Sequence, residues 1–295
     1  MRLARVESGG EAFWALLDPD LQRLRRIREP FSAWAPALGM GQATHLLGLD
    51  DERLELSACR LLPPLQPGAR VFGVGLNYRS HLERLGSSPP AHPLAYLKPD
   101  SALVGAHDEV AYPALTGQLD YEVELIAVVA RPLGDEPRAS ACLLGYTVGN
   151  DVSARDAGRR IARLDLLTQK AMDRTTPVGP WIVTLDELGG PGQPDLDMSL
   201  SVNGELRQQD NSRQMIFPVD ELLNYLDARI SLRPGDLVFT GSTHGVGLED
   251  GRFLAPGDLV EAHIEGLGTL CNRIGTPRVL SPARGVGRLG WPAGE

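Results

Sequence analysis

The chain has 295 residues, which is enough for one large domain or two ordinary ones. Its 42% hydrophobic and 23% charged residues are typical of a globular protein, and a net charge of −9 with a pI near 5.2 argues against nucleic acid as a partner. No apolar stretch is long enough to span a bilayer and the first residues lack the apolar core of a signal peptide, so we expect a cytoplasmic protein with no membrane partner.

The first 66 residues differ in pattern from those that follow. They contain short, mixed hydrophobic clusters and end at "LLPPLQPGAR", where three prolines in five residues interrupt regular structure. We therefore predict a small N-terminal domain over 1–66. Short apolar runs then recur between Gly and Pro turns, which predicts a β-rich domain over 67–280 and a loose tail over 281–295. The chain has many predicted strands and a few predicted helices, and the helices do not alternate with the strands. This pattern indicates the α+β class.

One histidine lies where a catalytic group would be expected. His81, in "GVGLNYRSHLERLG", follows a predicted strand and a Gly-x-Gly turn and begins a short helical stretch. A dinucleotide-binding loop would need a third glycine, and Tyr78 stands in its place. The more specific interpretation of His81 is a general base, because an imidazole can gain and lose a proton near neutral pH.

The segment "LDYEVELIAVVA" reads as a strand that carries two acids on one face. Glu122 and Glu124 share that face with Ile126 and Val128, and both faces of the strand look buried. Two carboxylates about 5 Å apart repel each other by roughly 3 kcal/mol at an effective dielectric constant of about 20. Either the acids face water at the end of the strand, or one is protonated, or a cation lies between them.

A third acid follows the next apolar run. Asp151, in "LLGYTVGNDVSARD", precedes a predicted helix and would serve alone as a helix cap. Together with Glu122 and Glu124 it would complete three carboxylates from two segments. That set of hard oxygen ligands suits magnesium or manganese.

Two helices are predicted from apolar spacing. The first covers 153–172, with Ser153 as its N-cap. The second covers "FPVDELLNYLDARI" at 217–230, with Pro218 in its first turn and two acids near its N-terminus.

Lysine is rare in this chain. Of the 29 basic residues only Lys98 and Lys170 are lysine, and the rest are arginine. A preference for arginine codons explains the general bias. Against it, a lysine marks a position that needs a compact ammonium group on a flexible stem.

Six segments in order resemble the fumarylacetoacetate hydrolase family: "GVGLNYRSH", "QLDYEVEL", "GYTVGNDVSARD", "QKAMDRTTPVGPWIVT", "MIFPVDELLNYLDARISLRPGDLVFTG" and "PGDLVEAHIEGLGTLCNRIG". The resemblance covers roughly residues 68–275. It implies a β-rich catalytic domain, a roll of mixed sheet with few helices, preceded by a small N-terminal domain, and commonly a homodimer.

The resemblance also implies a set of site residues. The divalent-metal ligands, usually for Mg²⁺ or Mn²⁺, are matched by Glu122, Glu124 and Asp151. Lys170 matches the active-site lysine, and His81 matches the catalytic histidine on a mobile lid. Substrate contacts are expected at the "TG" turn and at nearby polar residues, namely Arg79, Arg155, Gln169, Thr240, Gly241 and Ser242.

The sequence departs from the family pattern in two places. Family hydrolases often have a glutamate three residues after the histidine, where this chain has Arg84. The nearest acid is Glu83, our candidate catalytic partner of His81, although residues two apart on a helix do not face each other. A water-activating pair therefore requires an irregular lid or an acid from elsewhere. After the "TG" turn the family commonly has a Thr-Pro pair, where this chain has Ser242 and Thr243. The rigid proline is lost, so His244 becomes a possible substrate contact.

These residues favour chemistry on a 2-oxo or 1,3-diketo acid. A metal ion would chelate two substrate oxygens as a Lewis acid, and Lys170 would stabilise the developing enolate. With an activated water the result is hydrolysis of a carbon–carbon bond in an acylpyruvate-like acid. Without one, the same site supports decarboxylation or isomerisation of a 2-hydroxy-dienedioate or 2-oxo acid. A ligand-binding protein that has lost catalysis is the third hypothesis.

Overall fold

A computed structural model describes residues 1–40, 47–157 and 165–278 of the chain. The strands in these ranges are β1 Arg2–Ser8, β2 Glu11–Leu17, β3 Arg23–Arg26, β4 Leu54–Glu55, β5 Arg60–Leu62, β6 Val71–Gly75, β7 Leu94–Lys98, β8 Leu103–Val104, β9 Val110–Pro113, β10 Leu119–Asp120, β11 Val123–Val129, β12 Leu143–Asn150, β13 Ser153–Ala154, β14 Thr176–Thr184, β15 Asp197–Val202, β16 Glu205–Asn211, β17 Leu237–Ser242, β18 Leu259–Ile264 and β19 Gly268–Arg278. The helices are α1 Phe31–Gly39, α2 Arg79–Leu85, α3 Leu166–Lys170, α4 Val219–Asp227 and α5 Gly247–Asp250. The β-rich α+β prediction is confirmed. None of the described helices has the length and apolar character needed to cross a membrane.

Most strands belong to one mixed sheet of twelve. Its order is β4-β3-β2-β1-β14-β12-β11-β17-β6-β7, with β5 beside β1 and β8 beside β14. Neighbours on the main path are antiparallel except β17 and β6, which are parallel. A second sheet has the order β16-β15-β18-β19-β9, and β10 pairs with β13. The strand with the two acids, β11, is therefore central in the large sheet.

The first strands extend this large sheet. In β1, Arg2 and Leu3 pair with Val183 and Ile182 of β14. The aromatic rings of Trp14 and Trp34 lie in one hydrophobic cluster with residues of β6, β11 and β17. The segment predicted as a separate domain, 1–66, thus shares a sheet and a core with the residues after it. A boundary at residue 66 stays a prediction, and the predicted tail, 281–295, lies outside the described residues.

The burial of β11 on both faces has a simple origin. Val123 and Leu125 point into a cluster that includes residues of the second sheet, such as Leu200. On the opposite face Ile126 and Val128 pack in the cluster that holds Trp34 and Phe239. All seven residues of β11 are buried because the strand lies between two apolar layers.

The predicted helix over 153–172 is wrong at its start. Ser153 and Ala154 form β13, paired with Asp120 and Leu119 of β10, so Ser153 is not a helix N-cap. Residues 158–164 lie outside the described part of the chain. Among the described residues of this segment, helical structure is present only at Leu166–Lys170, where the Asp165 side chain accepts a hydrogen bond from the Thr168 N–H. Pairing with β10 satisfies the backbone groups that a helix would otherwise bond. The second predicted helix exists as α4, although it ends at Asp227.

Gly145 of β12 allows close contact with β14. A Cβ atom at this position would lie 1.9 Å from the carbonyl oxygen of Val183. Backbone atoms in the middle of a sheet cannot turn aside as a side chain can. The sheet therefore requires glycine here.

Gly145→Ala is expected to lower the free energy of unfolding by at least about 2 kcal/mol, because the added methyl group forces β12 and β14 apart. Urea denaturation at unchanged m-value measures the change. Gly117→Ala is the matched control, since the nearest atom to its Cβ would be Asp156 Oδ2 at 3.9 Å, and its change should stay within about 0.5 kcal/mol. Equal stability of both variants would contradict the close strand contact.

Candidate metal centre and active site

Three carboxylates meet at one end of the central strands. Glu122 precedes β11, Glu124 lies within it, and Asp151 follows β12; the register Val123 to Asn150 brings these positions together. One carboxylate oxygen from each acid lies within 4.8 Å of the others. The three residues are buried, with at most 6% exposure. The acids therefore do not lie at an exposed strand end, which removes the first of the three explanations for their presence on a strand.

Both lysines of the chain bind this cluster. Lys170 Nζ donates to Glu122 Oε2 at 2.5 Å and to Asp151 Oδ2 at 2.6 Å. Lys98 Nζ donates to Asp151 Oδ1 at 2.5 Å and to the carbonyl oxygen of Lys170. Tyr96, on the same face of β7 as Lys98, donates its hydroxyl to Asp151. The rarity of lysine was thus a useful signal for the site, whereas no sequence signal pointed to Tyr96.

Arg155 joins a fourth acid to the cluster. Its Nη2 donates to Glu122 Oε1 at 2.5 Å and its Nε donates to Asp120 Oδ2 at 2.7 Å. Among the described residues, four buried carboxylates thus share three cations, Lys98, Lys170 and Arg155. With all four carboxylates ionised, one negative charge has no counter-charge.

The pKa values show which acid lacks a counter-charge. Burial raises the pKa of Glu124 well above its usual value, and the charges of Asp151 and Glu122 raise it further. For Glu122 burial acts in the same direction, but Lys170 and Arg155 outweigh it and the pKa is lowered. The pKa of Asp151 is lowered in the same way by Lys170 and Lys98. Without a cation the raised pKa favours the protonated form of Glu124, so Glu124 is the carboxylate whose ionised form needs another positive charge.

The residues present fit a divalent cation. The three candidate ligand atoms are carboxylate oxygens, the donor type that Mg²⁺ and Mn²⁺ prefer, and they are close enough to share one ion. An ion between them would supply the charge that Glu124 lacks. Neither magnesium nor manganese is favoured by this donor set alone.

His81 has an acid partner that the sequence did not reveal. His81 Nδ1, on α2, lies 2.9 Å from Glu249 Oε1 on α5. An ionised carboxylate only accepts hydrogen bonds, so beside it a neutral imidazole carries its hydrogen on Nδ1 and keeps a lone pair on Nε2. Glu83 and Arg84 are both exposed on α2. Glu249, 168 residues away in the chain, therefore takes the position beside the histidine that we assigned to Glu83.

Asp120 fixes the short helix that carries Glu249. Its two carboxylate oxygens accept from the N–H groups of Gly247 at 2.6 Å and Leu248 at 3.0 Å. Asp120 also accepts from Arg155, which binds Glu122. A continuous set of charged hydrogen bonds thus connects the carboxylate cluster with the acid partner of His81.

A cavity of about 400 Å³ opens over the cluster. The predicted residues that line it are His81, Glu122, Glu124, Arg155, Gln169, Lys170 and Ser242. Asp151 does not line the cavity, but it accepts a hydrogen bond from Lys170, which does. The remaining predicted residues, Arg79, Glu83, Thr240 and Gly241, do not line the cavity.

Thr240 and Gly241, which we expected in a turn, lie within strand β17 and hydrogen-bond to the strand that carries Glu124. The Gly241 N–H donates to Glu124 Oε2 at 2.8 Å, and the Thr240 hydroxyl donates to the carbonyl oxygen of Leu125. Arg79 is exposed and donates to the carbonyl oxygen of Met215. Direct substrate contact by these three residues stays a prediction.

The sequence matches the family model "Fumarylacetoacetate (FAA) hydrolase C-terminal" over residues 70–275. A 2,4-didehydro-3-deoxy-L-rhamnonate hydrolase from Sphingomonas sp. is 34% identical over 278 residues, covering 91% of this chain and 94% of that protein. The crystal structure of 2-hydroxyhepta-2,4-diene-1,7-dioate isomerase from Mycobacterium marinum has 33% identity and a TM-score of 0.74, covering 93% of this chain and 98% of that one.

A third similar protein was solved with a metal. Fumarylpyruvate hydrolase from Pseudomonas aeruginosa, in complex with Mn²⁺ and pyruvate, has 35% identity and a TM-score of 0.63, covering 73% of this chain and 91% of that one. Relatives at this level include both hydrolases and isomerases. The matches extend over the β-rich region that contains the three carboxylates, and the chain belongs to the fumarylacetoacetate hydrolase family.

Proposed function

We propose that this protein is a divalent-metal-dependent hydrolase that cleaves a carbon–carbon bond in a diketo acid of the acylpyruvate type. The observation that carries this choice is the contact between His81 and Glu249, because Arg84 removes the usual acid partner and Glu249 supplies another. The same cavity is lined by Glu122 and Lys170. One cavity thus contains both a base that would activate water and the charged cluster that would hold the diketo group.

The carboxylate cluster would bind and polarise the diketo group. A Mg²⁺ or Mn²⁺ ion held by Glu122, Glu124 and Asp151 would act as a Lewis acid on the substrate oxygens. Burial opposes the charged form of Lys170, but Asp151 and Glu122 outweigh it and raise its pKa. Lys170 therefore stays protonated and stabilises negative charge on the pyruvate portion of the substrate.

His81 would generate the nucleophile. Its Nε2 accepts a proton from a water molecule, whose oxygen attacks the acyl carbonyl carbon, and Glu249 stabilises the imidazolium that forms. The bond between this carbon and the adjacent CH₂ then breaks, and its electron pair goes to the pyruvate portion. That portion takes up at carbon the proton that His81 removed from water, which returns the imidazole to its neutral form. The products are a carboxylic acid and pyruvate, with one water consumed.

Isomerisation or decarboxylation at the same site is the second candidate. It is favoured by the similarity to 2-hydroxyhepta-2,4-diene-1,7-dioate isomerase over 93% of this chain. Lys170 would keep its role, and His81 would carry a proton between carbon atoms of the substrate. Release of pyruvate together with an equal amount of a second carboxylic acid, and without carbon dioxide, separates the two candidates, because only hydrolysis consumes water and gives these two products.

Purified protein with Mg²⁺ or Mn²⁺ is expected to release pyruvate from an acylpyruvate in equal amount to the acid formed. A pyruvate-specific reductase follows the first product, while evolved carbon dioxide and the ultraviolet spectrum report the alternatives. Loss of carbon dioxide or a shifted spectrum without pyruvate would contradict hydrolysis and support the second candidate. No change of any tested substrate would favour a binding protein.

Glu124→Gln is expected to remove metal binding, because the neutral amide no longer attracts the cation. At a metal concentration of about 100 times Kd, the native protein should gain roughly 2.7 kcal/mol of stability, and this gain should vanish in the variant. Thermal unfolding with and without Mn²⁺ measures it. Glu265→Gln, at an exposed glutamate, is the control and should keep the gain. Retention of the gain in Glu124→Gln would exclude Glu124 as a ligand.

Glu249→Gln is expected to lower kcat for hydrolysis by about 10²-fold or more, because His81 loses the charge that stabilises its protonated form. The stabilisation of the fold by Mn²⁺ and the affinity of the Mn²⁺-loaded protein for oxalate, a small probe of the metal site, should both stay unchanged. These two measurements separate a positioning role of Glu249 from a general loss of structure. Glu83→Gln is the matched control on the helix of His81 and should keep kcat within about twofold, since surface changes are usually small. If Glu83→Gln were the damaging change, the pairing of His81 with Glu249 would be the wrong one.

A further inference from the structure

The cavity over the carboxylate cluster has an aliphatic wall. Its apolar lining residues come from β6, α2, β7, α3, α5 and the residue after β6: Val74, Leu85, Leu94, Leu166, Leu248 and Leu76. These aliphatic side chains come from separate strands and helices, and all of them face the same cavity. This wall is a property of the site as a whole.

Two of these leucines meet over Gly75. A Cβ atom added at Gly75 would lie 3.7 Å from Leu94 Cδ2 and 3.8 Å from Leu166 Cδ1. The methyl groups of a strand residue and a helix residue therefore approach the same point. Gly75 itself adds no polar atom from a side chain at this part of the wall.

The cations of the cavity are already bound. Among the described lining residues, the positive groups are Lys170 and Arg155, apart from the imidazole of His81. Lys170 donates to two carboxylates, and Arg155 donates to two as well. A second carboxylate on the substrate would meet aliphatic carbon without a free counter-charge. Burying an unpaired carboxylate in such surroundings is strongly unfavourable.

We infer that the aliphatic wall binds an uncharged hydrocarbon tail, so that the substrates are monocarboxylic diketo acids with an alkyl or aryl acyl group. This inference rests on the proposed function and narrows it. A 1,7-dioate, as named for the M. marinum neighbour, would place its second carboxylate against leucine. Hydrolysis would then release pyruvate and a hydrocarbon carboxylic acid.

Binding of 2-oxo acids to the Mn²⁺-loaded protein tests the inference without turnover. Titration calorimetry compares pyruvate, 2-oxobutanoate, 2-oxohexanoate and 2-oxooctanoate with 2-oxo diacids of equal chain length. Affinity should rise about threefold to fourfold per buried methylene, with a negative change in heat capacity. Each diacid should bind at least tenfold more weakly than its monoacid, as an unpaired charge predicts.

The outcomes separate this inference from the proposed function. If pyruvate itself does not bind in the presence of Mn²⁺, the proposed function fails. If pyruvate binds but longer tails bring no gain, or diacids bind as tightly as monoacids, only the hydrocarbon tail is excluded. Tighter binding of diacids would show that a cation outside the described lining meets the tail.

Leu94→Arg provides a second test by placing a cation in the wall, and it should reverse the preference toward diacids. Leu97→Arg is the matched control, because Leu97 lies on the opposite face of β7 and is 47% exposed. Leu166→Arg repeats the test on α3, with 62% exposed Leu167 as its control position. Retained pyruvate affinity identifies correctly folded variants. An unchanged monoacid preference in both folded variants would overturn the inference, and the ligand series on the unmodified protein decides the matter if neither variant folds.

Discussion

The balance of charge at the buried carboxylate cluster is the constraint on which the rest of the site depends. Two carboxylates within about 4.8 Å repel by roughly 3 kcal/mol at an effective dielectric constant of about 20, and three of them share this space. Lys98, Lys170 and Arg155 offset most of that repulsion, and the raised pKa of Glu124 marks what they leave. A site that is one positive charge short, and lined with oxygen donors, is suited to a divalent cation. The sheet holds this cluster because β11 is packed between two apolar layers.

The same charged groups reach the second half of the active site. Glu122 binds Arg155, Arg155 binds Asp120, and Asp120 holds the N–H groups at the start of α5. Helix α5 presents Glu249 to His81. The position of Glu249 beside His81 is therefore set by groups that also balance the charge of the carboxylate cluster, so that the two parts of the proposed chemistry are built as one unit. Aliphatic side chains line the remaining space of the cavity, and the described cations among its lining residues, Lys170 and Arg155, are already bonded to carboxylates.

The carboxylate cluster and the lysines could be predicted from the sequence because they follow local rules. Alternation along a strand placed Glu122 and Glu124 on one face, and the rarity of lysine marked Lys98 and Lys170. The helix predicted at 153–172 failed at its start because β13 pairs with β10, a distant contact that local spacing does not reveal. Glu249 was missed for the same reason, since a one-turn helix far along the chain has no pattern that points to His81. Likewise, nothing in the first residues indicated that β1 would pair with β14.

Lys98 has a consequence for how such a centre can change over evolutionary time. Its side chain is fully enclosed and joins Asp151 to the main chain of Lys170. A guanidinium group is broader and needs several acceptors in one plane, which this narrow space between a carboxylate and a carbonyl oxygen does not offer. Arginine fills every basic position of the chain except Lys98 and Lys170, so a replacement that is common elsewhere in this protein would not fit at Lys98. The enclosed surroundings of Lys98 thus exclude the one substitution that keeps its charge.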